Sequence, residues 1–266
     1  MYKPNFMTTK KSLVDELIED KDVDQTIVKS FYLKDELCPD VWEKSGDSYK
    51  MIEKVRKKLL NASDAFIEYL GVDFFIYNVI LTGSLANYNW SEYSDVDLHI
   101  LMDFEEIGAD IPRFKKIMDQ FFKSKKNNWN TNHDIKIKRY EVELYVQDSN
   151  EQHHSSGVYS VLNDKWEIEP KLGKVGIDDN IILIKSDEFI NTIDDLTLKY
   201  QEGDNVIPDI EDLRVRLKKF RQSGLETGGE FSYENLVFKL LRRNGYIGKL
   251  LKLKRDIIDK KLSVTQ

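Results

Sequence analysis

Two aspartates separated by one residue, Asp95 and Asp97, stand at the head of an otherwise apolar run, Val96-Asp97-Leu98-His99-Ile100. Another apolar run ends in Leu81-Thr82-Gly83-Ser84, and ten residues separate Ser84 from Asp95. Residues i and i+2 of a strand point to one face, so a strand here sets the two carboxylates side by side. Carboxylates held rigidly together are what a pair of divalent cations needs in phosphoryl transfer. A glycine turn lets phosphate approach the backbone, and the serine after it adds a hydroxyl donor. A third carboxylate must come from a neighbouring strand. Glu141 and Glu143, in Arg139-Tyr140-Glu141-Val142-Glu143-Leu144-Tyr145-Val146, have matching parity, and both stand as candidates.

The elements that must position these groups follow from hydrophobic periodicity. A short helix is expected over 12–20 and a strand or extended segment over 27–33. Next comes a turn-rich connector over 38–46, anchored by Trp42. From Tyr49 the apolar positions Met51, Ile52, Val55, Leu59, Phe66 and Leu70 share a helical face, and Gly71 ends it as a C-cap. Strands are expected over 73–81 and, buried on both faces, over 96–102. A helix over 111–123, a polar loop over 127–132 and an alternating strand over 134–146 come next. A hairpin pairs 158–162 with 165–168. The rest reads as helices over 186–200, 208–223 and 232–261, with 224–229 as a flexible joint. The fold class is therefore α+β, a mixed sheet with helices followed by a helical C-terminal domain. The expected divisions are 1–48 as an arm and helix packing on the core, 49–170 as the catalytic domain and 171–266 as the helical domain.

Composition narrows the function. The chain has 266 residues, 41% hydrophobic, enough to build real cores, and a net charge of −7. No global positive field draws it to nucleic acid or to anionic membranes, so a polyanionic substrate must be held by a local basic patch or by metal. The single cysteine, Cys38, rules out an internal disulfide and leaves no disulfide-linked partner expected. No apolar run approaches the roughly 20 residues of a membrane span, and Lys10-Lys11 is not followed by a signal-peptide core. A cytoplasmic location is expected.

The string from Thr82 to His99 resembles the signature of the DNA polymerase beta-like nucleotidyltransferase superfamily, and also the nucleotidyltransferase-like proteins of tailed bacteriophages. A phage origin would put the protein in the host cytoplasm. The likeness covers about residues 50 to 148. It implies that Gly83 and Ser84 contact nucleotide phosphates and that Asp95 and Asp97 ligate Mg²⁺ or Mn²⁺. It also implies that Glu143 takes the place of the third carboxylate, ligating metal and helping activate the acceptor hydroxyl, with Glu141 in reserve. Most of the superfamily has aspartate at that position. The implied activity moves an NMP from an NTP such as ATP to an acceptor hydroxyl with release of pyrophosphate. An RNA 3′ end, a small molecule, a nucleotide and a protein side chain all stay open as acceptor. Related enzymes bring cations from a helical half to the triphosphate, which singles out Lys239 and Arg243, one turn apart. The competing class is a catalytically silent nucleotide- or partner-binding regulator of the same fold.

Plainer readings apply to the remaining motifs. His99 is expected as a hydrogen-bonded core histidine rather than a group behind the metal ligands. His153 and His154 lack further ligands at zinc spacing and read as loop. Tyr88, Trp90 and Tyr93 are expected to pack their loop down rather than stack on a base. Ser155, Ser156 and Gly157 could approach substrate. The basic series in the last helices, Arg214 to Arg221 and Lys239 to Arg255, reads as a solvated face apart from Lys239 and Arg243.

Overall fold

The computed structural model describes residues 24–71, 75–106, 112–151 and 155–264. The helix expected over 12–20 and the pair His153 and His154 lie outside them. Two compact units divide the chain, one over 33–174 and the other formed by the segment ending at Tyr32 together with everything from Val175 onward.

In the first unit a tight turn at Gly46 (φ 64°) folds β1 (Trp42–Ser45) back on β2 (Ser48–Met51), pairing Trp42 with Met51. Residues 49–51 are therefore strand, and helix α1 (Glu53–Leu70) starts later than its apolar periodicity suggests. Trp42 is the expected anchor. It is buried, donates from Nε1 to the Leu85 carbonyl at 2.6 Å, and stacks on Trp166 with ring centroids 4.6 Å apart. Helix α1 buries Leu59, Phe66 and Leu70, and Gly71 closes it in the left-handed conformation with its N–H on the Glu68 carbonyl.

The main sheet contains β3 (Asn78–Thr82), β4 (Val96–Met102), β5 (Lys136–Ile137), β6 (Tyr140–Asp148), β7 (Val158–Ser160) and β8 (Lys165–Ile168), in the order β5-β6-β4-β3-β7-β8. Only β4 and β6 run parallel, because α2 (Pro112–Asn132) occupies the connection between them; the other neighbours are antiparallel. Val96, Leu98 and Ile100 of β4 are buried together with Val142 and Leu144 of β6 in one cluster with Leu59 and Phe66. That alternation leaves Asp97 and His99 on the opposite, partly open face.

Helix α2 runs through the polar stretch 127–132 that composition marks as a loop. Trp129 is buried edge-on against Phe66 (5.5 Å), and Asn132 donates to Asn128 one turn back (2.7 Å), so tertiary anchoring outweighs weak propensity. The strand expected over 134–146 is broken by Lys138 at φ 57° into β5 and β6.

The second unit is helical. Helix α3 (Asp179–Glu202) begins with Asp178 accepting from the Asn180 N–H, seven positions before the expected start at Ser186. Helix α4 (Ile207–Gly228) has Pro208 in its first turn, and α5 (Tyr233–Arg243) is capped by Ser232. The long helix expected over 232–261 breaks at Gly245 (φ 85°), which starts α6 (Tyr246–Leu262). The expected joint at 224–229 is mostly helix. A Cβ on Gly224 would lie 2.5 Å from that of Glu234, so this glycine serves close packing of α4 on α5 rather than flexibility.

Residues 24–29 are helical, not extended, and belong to this unit. Ile27 and Val28 are buried there, Asp24 accepts from Asn244 at 3.0 Å and Ser30 accepts from Arg243 at 2.6 Å. Burial of two adjacent β-branched residues against helices overrides their strand preference. Among the described residues no helix is long and apolar enough to cross a membrane.

Candidate active site

Register brings the sequence candidates together. Asp97 on β4 lies opposite Thr82 on β3, so the end of β3 delivers Gly83 and Ser84 directly beside the aspartate. On its other side Asp97 is paired with Glu143 of β6. The parallel pairing of β4 with β6 thus makes Glu143 the carboxylate next to Asp97. Glu141 lies one pleat away, exposed and within 3.9 Å of Lys136.

Gly83 has φ 75° and ψ −159°, a region L side chains rarely enter. A Cβ there would fall 2.0 Å from Asp97 Oδ2. Glycine is thus required twice, for its conformation and for the approach of Asp97 to the turn. Ser84 opens a short 3-10 turn (Ser84–Ala86), and its hydroxyl shares a 2.8 Å hydrogen bond with that of Ser94. The Ser94 Oγ also accepts the Ser91 N–H at 2.9 Å, closing the loop immediately before Asp95. Ser94 escaped the sequence reasoning, although the Ser91-x-x-Ser94 spacing before an aspartate was the available signal.

The intervening loop is packed down, as expected of its aromatic residues. Trp90 donates to the Glu36 carbonyl at 2.8 Å, and the Tyr88 carbonyl accepts from the Lys34 N–H at 2.7 Å. Ser156 accepts a hydrogen bond from Asn87, and a Cβ on Gly157 would meet the Ala86 carbonyl oxygen at 1.9 Å. The 155–157 loop therefore leans on the Gly83-Ser84 turn.

Glu143 is engaged. It accepts from the Tyr145 hydroxyl, and Lys126 of α2 stands 3.6 Å from it while lying 3.8 Å over the Tyr145 ring. Burial raises the Tyr145 pKa, the hydrogen bond to Glu143 raises it further, and the charges of Asp97 and Asp95 add to the shift. One phenol therefore senses all three carboxylates. Sequence reasoning missed Lys126 and Tyr145; the first is invisible without the tertiary fold, and the second shares Glu143's parity. His99 bonds Gln147 at 2.8 Å and stacks on Tyr145 at 4.8 Å, the hydrogen-bonded role expected of it.

Can this set hold a divalent cation? Asp95 has no hydrogen-bond or ion-pair partner among the described residues, and all-oxygen donors suit Mg²⁺ or Mn²⁺. Yet no three His, Cys, Asp or Glu side chains among the described residues are gathered closely enough to coordinate an ion as they stand. Glu143 is drawn to Lys126 and Tyr145 instead of to Asp97. The donor types and register fit the ion, and the Glu143 side chain has to exchange partners to complete the set.

Lys239 and Arg243 lie on α5 of the helical unit. Arg243 is committed to Ser30 and lies 4.9 Å over the Phe31 ring. Lys239 is partly buried, and burial together with the charges of Arg243, Arg242 and Arg221 lowers its pKa, against the opposite pull of Glu230.

Residues 61–193, half of the chain, match the model of the nucleotidyltransferase domain family. The match includes Gly83, Ser84, Asp95, Asp97 and Glu143. No curated protein and no solved structure matches the chain.

Proposed function

The chain belongs to the nucleotidyltransferase domain family, and on that premise we propose that it transfers an NMP from an NTP to an acceptor hydroxyl at the Gly83, Ser84, Asp95, Asp97 and Glu143 face. The observation that carries this reading is the register that makes Asp97 the neighbour of both the Gly83 turn and Glu143.

In this reading the Gly83 backbone, bare of a side chain, admits the phosphates, and the Ser84 hydroxyl donates to them. Mg²⁺ or Mn²⁺ held by Asp95, Asp97 and Glu143 would neutralise charge on the attacking and leaving oxygens. Glu143, once released from Tyr145 and Lys126, accepts the proton of the acceptor hydroxyl. The acceptor oxygen bonds to the α-phosphorus, the bond from that phosphorus to the αβ-bridging oxygen breaks, and pyrophosphate leaves. Lys239 and Arg243, on α5 of the helical unit, carry only the role the resemblance implies, and Arg243 is bound to Ser30. The catalytic part is assigned to the unit over 33–174, which contains the expected 49–170, and the helical part to the other unit.

The test is pyrophosphate release by the full chain with Mg²⁺ or Mn²⁺ and each NTP, against RNA, nucleotide, small-molecule and protein acceptors. Release that requires metal and disappears in Asp97→Asn supports the proposal. Absence of release with every acceptor, together with no thermal shift on adding NTP and metal, would sink it. One observation favours the silent alternative, the commitment of Glu143 to Lys126 and Tyr145. NTP-dependent stabilisation without turnover would select that alternative.

A further inference from the structure

A cavity lies within the helical unit, walled by α4, α5 and α6, with a volume of about 290 Å³. It is at the small end of the roughly 300–1,000 Å³ over which proteins enclose small ligands. Its walls are apolar, with Leu217 and Leu250 buried at its base and Leu225 and Phe238 at its sides. Three cations of α4 also line it, Arg214, which is paired with Glu211, and Lys218 and Arg221.

Arg221 is unusual for a partly buried arginine. Its Nε donates to a neutral acceptor, Asn235 Oδ1, at 3.1 Å, and its guanidinium lies 4.6 Å over the Phe238 ring. Neither Nη1 nor Nη2 meets an acceptor among the described residues, and no carboxylate pairs with it. Burial, and then the charge of Arg242, disfavours its charged form. A guanidinium partly withdrawn from water and left without a counter-anion is disfavoured. Asn235 is itself fixed, donating to the Glu230 carbonyl at 2.7 Å, so the Nε edge of Arg221 is held while its Nη edge stays open. Lys218, one turn earlier on the same face, likewise forms no ion pair among the described residues.

We propose that this cavity is a binding site for a small amphipathic organic anion, its apolar body between Leu217, Leu225, Phe238 and Leu250 and its carboxylate or phosphate on Arg221, with Lys218 adding charge. A planar fork with two open donors matches such a head in bidentate fashion. Because the apolar walls supply contact area, a bare inorganic anion should not suffice. The inference does not rest on nucleotidyl transfer, and its test contains no NTP.

Calorimetric titration of the full chain with octanoate, 1-octanol, phenyl phosphate and inorganic phosphate reads it directly. The site predicts submillimolar binding of octanoate or phenyl phosphate, or of both. It predicts at least tenfold weaker binding of octanol and of inorganic phosphate. Arg221→Gln should weaken the anion at least tenfold and leave octanol unchanged. Leu225→Trp, at a position 40% exposed and so compatible with folding, should fill the mouth and weaken the anion at least tenfold. Lys218→Gln should weaken the anion by a few-fold. No binding by any organic anion, equal binding of octanoate and octanol, or unchanged binding in Leu225→Trp overturns the proposal, the last even if Arg221→Gln fails to fold.

Discussion

The two units gather opposite charges. On the open face of the sheet, Asp95, Asp97 and Glu143 all bear on one phenol, Tyr145, and Lys126 stands against Glu143. In the helical unit, Arg221, Arg242 and Arg243 all oppose the charge on Lys239. Like charges held together cost stability unless an opposite charge joins them. On the proposals above, the acidic cluster would take cations and the basic one anions. The two are built differently. Strand register and a glycine that admits no Cβ fix the short aspartates, whereas the cations reach their positions on long side chains from helices packed together.

The comparison breaks most sharply at the aspartates. Asp95→Asn with Asp97→Asn should abolish transfer by about 10²–10⁴-fold, since the ion's charge stabilisation is worth several kcal/mol and 1.36 kcal/mol is tenfold in rate. The melting temperature should hold or rise because a repulsive pair is removed. A fall in melting temperature would mean that the pair is structural.

Two glycines at positive φ then separate the units. Gly83→Ala combines backbone strain with the clash on Asp97 and should cost about 3 kcal/mol, along with activity. Gly245→Ala meets nothing within 4 Å and should cost only about 1–2 kcal/mol of strain, leaving transfer intact. Equal costs in urea unfolding would remove the special standing of the Gly83 turn. All four tryptophans, Trp42, Trp90, Trp129 and Trp166, lie in residues 33–174, so indole fluorescence reports that unit while far-UV ellipticity is weighted to the helices.

The same two probes read the smallest effect, the response to pH. In the sheet unit burial raises the Asp148 and Asp164 carboxyls, but hydrogen bonds and charges from Asn150 and Lys115, and from Lys50 and Tyr159, more than offset it and hold both below the ordinary value. Their stabilisation is present above the unfolded pKa of about 3.9 and is lost as the pH falls through the folded values. On the alkaline side burial, with the Cys38 contact, pushes Tyr140 up to about 12. The folded unit then keeps a proton that the unfolded chain releases, and indole-detected stability falls as the pH rises past about 10. Lys239 has the opposite sign. Its folded pKa is depressed, so the unfolded chain binds the extra proton and helical stability rises as the pH climbs from the folded value toward about 10.4. A helical signal that does not rise as the pH climbs toward about 10 would contradict the contrast.

The difference between the units also decides what the sequence could reveal. A spacing of two on a strand and a glycine before it are local, so the Gly83, Asp97 and β4 arrangement is legible without coordinates. Parity narrowed the third carboxylate to Glu141 and Glu143, and the parallel register of β6 singles out the one beside Asp97. Lys126 was illegible, since it reaches Glu143 only because α2 continues through an asparagine-rich stretch held by Trp129 on Phe66. In the helices the periodicity gave existence but not ends. Composition suggests flexibility at Gly224, which is a packing contact, and periodicity runs through Asn244-Gly245, which is a break. Ile27 and Val28 favour an extended segment over 27–33, a preference that burial in the helical unit overrides.

The central claim, that the sheet face is a divalent-cation site completed by Glu143, is tested most directly by Mn²⁺ titration of the full chain followed by electron paramagnetic resonance, with and without NTP. The account predicts saturable binding that tightens with NTP, weakens in Glu143→Gln but not in Glu141→Gln, and vanishes in the Asp95→Asn, Asp97→Asn double variant. Identical Mn²⁺ binding by the wild-type chain and the double variant would contradict it.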